Sequence, residues 1–234
     1  SKLNEIAEKN GDPIYPQKDS SFYTLELNDN DKLIIEKIKT LANELHGYFY
    51  SKKENGASLK RMKAARGLAI HNLMYSLRSS KIAAYEHIVG TNKATDKFNI
   101  SNIKALTFKE GTIRTLEGRL NNYNATTRKC VKEDIAIYEQ IQKAIEDLSN
   151  DMEDIKKKWI IEKIREDKNG KILLFDRSPI TIVHFYEMFE NSSINKYFTT
   201  GKTDKNREEI KEVFSPKRSN NEGGIAFCTD VFSE

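Results

Sequence analysis

The sequence predicts a mainly α-helical protein: an elongated helical bundle or hairpin with irregular N- and C-terminal arms and at most a small β element. Three observations lead there. Only 4 Pro and 11 Gly punctuate 234 residues, too few for the many tight turns of a sandwich or barrel. A mean hydropathy of -0.68, with 38% hydrophobic and 32% charged residues, leaves few apolar side chains to line one deep core. Where apolar residues do cluster, they recur every three or four positions, which is the helical period.

Residues 1–28 read as an N-terminal arm. They hold Gly11, Pro13 and Pro16, and an alternating stretch from Phe22 to Leu27 that suits one short strand. Residues 29–168 read as the helical domain. Asn30 is placed to cap a first helix carrying Ile34, Ile38, Leu41, Leu45 and Phe49 on one stripe. Asn55-Gly56 marks a turn, and Ser58 can cap a second helix with Leu59, Met62, Ala69, Leu73 and Leu77, up to a break near Ser79-Ser80. Helix resumes from Lys81 and stops at Gly90, and residues 91–99 read as polar connection. The longest regular signal follows, since Tyr138, Ile141, Ile145, Leu148, Met152, Ile155 and Trp159 are spaced 3, 4, 3, 4, 3, 4. Such an a/d seam on one continuous helix wants a facing helix along its length, so these seven residues are the candidate self-association surface. The flanking positions lack the complementary charges of a dedicated zipper, which favours a helical hairpin within one chain as the partner.

Residues 169–234 read as a small mixed segment followed by an extended tail. Asn169-Gly170 ends the helical region, and residues 171–175 suit a short apolar strand. Ser178-Pro179 can open a helix as cap and first position, although Ile180 to Val183 would suit a strand equally well. Beyond residue 190, polar residues surround single aromatics at Tyr197, Phe198, Phe214, Phe227 and Phe232, the pattern of an arm that straps onto a partner.

Charge narrows the function classes. The net charge is only +4, but between Lys52 and Lys81 stand Lys52, Lys53, Lys60, Arg61, Lys63, Arg66, Arg78 and Lys81 against the single acid Glu54. This stretch is either a solvated helix face or the side that meets a polyanion. Cys130 and Cys228 stand far apart and outside any Cys/His cluster, which argues against a disulfide framework or a zinc site and for reduced, intracellular thiols. No apolar run approaches the length that crosses a bilayer, so the expectation is a cytoplasmic protein without a membrane partner, in the host-cell cytoplasm if viral.

The best local pattern runs from Ile100 to Leu120. It resembles a helix-turn-helix, with Ile103 and Leu106 on a short helix, a tight connection around residues 108–110, and Ile113, Leu116 and Leu120 facing inward from a second helix. That resemblance implies that Lys109, Thr112, Arg114, Thr115 and Arg119 reach a nucleic acid, together with Lys60, Arg61, Lys63 and Arg66 of the basic stretch. A second spacing, Arg66 to His71 with four residues between, resembles the Arg-x4-His signature of HEPN-type ribonucleases. Gly201-Lys202-Thr203 lacks the glycine and the preceding strand of a phosphate loop, no HExxH is present, and Asp176, Arg177, His184 and Glu187 crowd one stretch as a surface cluster or a site lining. The expected function is a non-enzymatic nucleic-acid-binding protein of viral or mobile-element origin, without cofactor or metal. An assembling structural protein, joining copies or a protein partner through the heptad helix and the terminal arms, is the alternative. A HEPN-like ribonuclease is the third.

Overall fold

The computed structural model describes residues 22–24, 26–46, 59–101, 132–166, 170–190, 192–199, 205–215 and 223–229. Among these residues the chain is mostly helical, with a small three-stranded parallel sheet. The elements are α1 (Asp29–Glu44), α2 (Leu59–Ser79), α3 (Lys81–Val89), α4 (Thr91–Lys97), α5 (Lys132–Asp147), α6 (Asp151–Glu166), β1 (Lys171–Asp176), α7 (Pro179–Met188), β2 (Lys196–Thr199), α8 (Lys205–Val213) and β3 (Gly224–Thr229).

Helix α1 starts two residues earlier than the expected Asn30 cap. Asn28 is extended (φ -62°, ψ 159°), and its Oδ1 accepts from the Asp31 N–H at 2.7 Å, while Asp29 and Asp31 sit where the helix dipole favours negative charge. Its buried side, Ile38, Leu41 and Ala42, packs along α5, which buries Tyr138, Ile141, Ala144 and Ile145. Helix α2 ends as expected at Ser79, because Ser80 caps α3 by accepting from the Ala83 N–H at 3.0 Å. Helix α3 is apolar nearly all round and lies in the middle, with Ile82, Ala83, Ala84, Tyr85, Ile88 and Val89 buried against α2, α5 and α7. Gly90, at φ 91°, takes a backbone conformation that side-chain-bearing residues avoid, and so ends α3. The expected polar connection after it instead makes the short helix α4, closed by Phe98 N–H on Ala94 O.

The seam expected on one continuous helix is cut in two. Helix α5 stops at Asp147 and α6 begins at Asp151, with Asn150 O accepting the Asp154 N–H at 2.9 Å. The physical reason lies on α1. The buried Asp31 carboxylate takes the Ser149 N–H at 3.0 Å and the Ser149 hydroxyl, and the Asn28 amide donates to Asp151, so backbone groups that a through-running helix would bond internally are satisfied from outside. The partner of the seam is this chain itself: Tyr138, Ile141, Ile145 and Leu148 are buried in the common core, and Met152, Ile155 and Trp159 are partly covered. Four of the seven residues expected as a self-association surface are thus taken up within the chain.

The segment expected as an extended tail supplies two strands and a helix. The strands run parallel in the order β1-β3-β2, with Leu174 opposite Phe227 and Phe198 opposite Phe227 on the other side. All six residues of β3 are buried, which is the signature of a central parallel strand covered on both faces. Helix α7 covers one face, where Phe189 and Tyr186 meet Phe227, and α8 covers the other, where Ile210 packs on Ala226 and Cys228. Gly224 is required at the start of β3, since a Cβ there would stand 2.9 Å from Asn195 O. One contiguous cluster of buried side chains runs from Ile38 on α1 to Phe227 on β3.

Candidate nucleic-acid interface

Helix α2 has two opposite faces. Ala69, Leu73 and Leu77 point into the core, and at 100° per residue Leu68, His71, Tyr75 and Arg78 fall on the far side. All four are exposed, Leu68 at 50% and Tyr75 at 38%. A second element completes this strip. Arg177, the first residue after β1, is exposed and places its guanidinium 5.1 Å from the centre of the Tyr75 ring, whose other neighbour is His71 at 6.1 Å. A guanidinium over an aromatic face is oriented without being neutralised, so it keeps its donors for an anion.

The joint that brings Arg177 to α2 is polar and largely buried. Ser79 Oγ donates to Asp176 Oδ1 at 2.6 Å and lies 2.8 Å from Thr181 Oγ1, Ser80 Oγ lies 2.7 Å from the same Thr181 oxygen, and the Ser178 N–H donates to Asp176 Oδ1 at 2.7 Å. Lys156 of α6 closes the joint by donating to Ser79 O at 2.8 Å. Burial pulls the Lys156 ammonium below the usual lysine range, and the nearby Glu153 and Asp176 carboxylates oppose that shift. Beside it, the Glu153 carboxylate accepts from the Lys81 N–H at 2.7 Å, and its burial pushes its pKa up. Next to Asp176 in register stands Thr229, whose buried Oγ1 has no hydrogen-bond partner among the described residues. Both lie at the carboxyl ends of parallel strands, the edge where open α/β sheets receive ligands, and α7 begins there with its N-terminal N–H groups.

The residues expected to bind nucleic acid fare unequally. Lys60, Arg61 and Lys63 fall on the first turns of α2, with side chains outside the described residues. Lys109, Thr112, Arg114, Thr115 and Arg119 also lie outside them, as does all of the helix-turn-helix-like segment except Ile100 and Ser101. Arg66 is exposed and donates to Asn43 O on α1. Lys81, counted in the basic stretch, is turned inward: its ammonium donates to Leu148 O and to Glu146 O at 3.2 Å, tying down the end of α5, and burial lowers its pKa. Half-buried, it serves the end of α5 and not the patch.

The other candidate constellations do not converge. Five positions on one helix place Arg66 and His71 about 140° apart around the axis, Arg66 reaching α1 and His71 lying against Tyr75. Asp176 ends β1 and Glu187 lies in the last turn of α7; Glu187 Oε1 anchors Ser101 by accepting from its N–H and Oγ, both at 2.9 Å. His184 between them is half-buried, and its partial desolvation lowers its pKa. Among the described residues no group of three or more His, Cys, Asp or Glu side chains is arranged to hold a metal, and no helix is long and apolar enough to cross a membrane.

Of Tyr75, Arg78 and Arg177, the bases of the 52–81 stretch include Arg78 alone; Tyr75 carries no charge, and Arg177 stands in sequence beside Asp176, His184 and Glu187. The spacing 68, 71, 75, 78, opposite the buried stripe, was the available signal for the α2 strip. Nothing in the sequence announced that Arg177, a hundred residues later, would stack upon it. No family model matches the sequence, and no curated protein matches it.

Proposed function

We propose that this chain is a non-enzymatic nucleic-acid-binding protein whose contact surface is the exposed side of α2 together with the β1–α7 turn. The observation that supports this reading is the cation–aromatic strip of His71, Tyr75, Arg78 and Arg177, solvent-facing and lacking any acidic residue among its members. Guanidinium groups bind phosphodiester oxygens through two parallel N–H bonds, and each such contact releases condensed counterions, so affinity falls as salt rises. Tyr75 holds Arg177 in place at small entropic cost.

Fluorescence anisotropy with labelled single- and double-stranded oligonucleotides, read at about 50 and 200 mM salt, tests the reading. Binding should weaken with salt, and Arg78→Ala combined with Arg177→Ala should lower the logarithmic salt slope by about two and the affinity by about tenfold or more. Binding without salt dependence, or a double variant that binds like the parent, would overturn it.

A further inference from the structure

The two halves of the proposed interface come from distant parts of the chain, and a run of hydroxyl groups ending at Asp176 joins them. Valence fixes its direction. As a carboxylate, Asp176 only accepts, so Ser79 Oγ spends its single proton on Oδ1 at 2.6 Å. Thr181 Oγ1, 2.8 Å from Ser79 Oγ, must then donate to Ser79, and Ser80 Oγ, 2.7 Å from Thr181 Oγ1, must donate to Thr181. Ser80 Oγ keeps a lone pair for the Ala83 N–H at 3.0 Å and so also starts α3. All three hydroxyl-bearing residues are buried, at 7%, 0% and 1% exposure for Ser79, Ser80 and Thr181, so the two bonds between hydroxyls are shielded from water, the one to Asp176 is partly so, and each polarises the next. One carboxylate thereby orients the end of α2, the start of α3 and the first turn of α7, while the Ser178 N–H on the same Oδ1 sets the path of the chain around Arg177.

We infer that Asp176 is a positioning residue of the nucleic-acid interface: it touches no ligand, but it holds the α2 strip and the β1–α7 turn in one register, so that Arg78 and Arg177 engage one phosphodiester backbone together. The inference rests on the nucleic-acid reading. A purely architectural Asp176 would affect melting alone. A positioning Asp176 also governs how many phosphates are contacted while both arginines remain in the chain.

The test compares Asp176→Ala, Asp176→Asn and Ser79→Ala by anisotropy with the same oligonucleotides, well below each variant's melting temperature. Asp176→Ala should lower the salt slope by about one, as Arg177→Ala does, and should add nothing when combined with Arg177→Ala. Asp176→Asn keeps an Oδ1 that accepts from Ser79 and Ser178, and should restore the slope. Ser79→Ala cuts the run at its next link, and should reproduce the loss even where Asp176→Ala folds poorly. Slopes equal to the parent's in folded Asp176→Ala or Ser79→Ala, or losses that simply add to that of Arg177→Ala, would overturn the inference and leave the nucleic-acid reading standing. Arginine variants that bind like the parent would overturn both.

Discussion

At the scale of single residues, burial sets the chemistry more than any charge pair does. His87 is enclosed in α3, and desolvation of the charged form pushes its pKa down from 6.5 to about 4. Between those values the unfolded chain binds more protons than the folded one, so His87 contributes stability that is complete above about pH 6.5 and lost on acidification, by up to about 3 kcal/mol. His184 acts in the same direction. Glu153, whose pKa burial raises, acts in the opposite one: its contribution favours the fold at low pH and fades as pH rises through the folded value. Urea denaturation from about pH 4.5 to 7.5 should show falling stability toward acid, and His87→Leu should flatten that limb. A variant with the parent's pH profile would remove His87 as the cause. None of this was readable beforehand, because a histidine four residues from Ala83 looks the same in sequence whether buried or wet.

At the scale of elements, the break between α5 and α6 shows how a polar contact overrides a periodic signal. The a/d spacing from Tyr138 to Trp159 runs on without interruption, yet the backbone turns at Leu148 to Asn150 because Asp31 supplies a better partner for Ser149 than helix continuation does. The apolar stripe still finds a facing helix, so the period correctly stated that these residues face inward and said nothing of where the backbone bends. Asp31→Ala leaves the Ser149 N–H and hydroxyl without their acceptor, and should cost about 1–3 kcal/mol in urea denaturation, with Asp31→Asn recovering part of it. A loss below about half a kcal/mol would show that water serves the Ser149 groups as well as the carboxylate does.

At the scale of the whole molecule, the core does not respect the expected boundary near residue 169. Phe227 on β3 packs with Tyr186 of α7 and with Phe189 just after it, and α7 packs in turn on α3 and α6, so sheet and helices share one buried cluster. The single tryptophan, Trp159, sits on α6, on the helical side of that boundary. Phe227→Ala should therefore destabilise by about 3–5 kcal/mol and shift the tryptophan fluorescence and far-ultraviolet circular dichroism transitions together. A tryptophan transition that stays in place would mean two units that unfold separately.

What the sequence determined by itself was the helical class, the inward stripes of α1, α2 and α5, the break at Ser79-Ser80, the stop at Gly90 and the strand at residues 171–175. Each rests on local physics: periodicity, capping hydroxyls, or a backbone that only glycine adopts. Tertiary structure alone decided that Tyr197-Phe198 and Ile225 to Cys228 become strands, because apolar runs of two and four residues amid polar ones gain their stability only once the central strand β3 is covered on both faces and β2 pairs along its edge. It also decided the candidate interface. The exposed stripe of α2 was present in the spacing, but the apposition of Arg177 on Tyr75 depends on hydrogen bonds between residues about a hundred positions apart, and a chain read one residue at a time carries no record of which distant carboxylate a serine will meet.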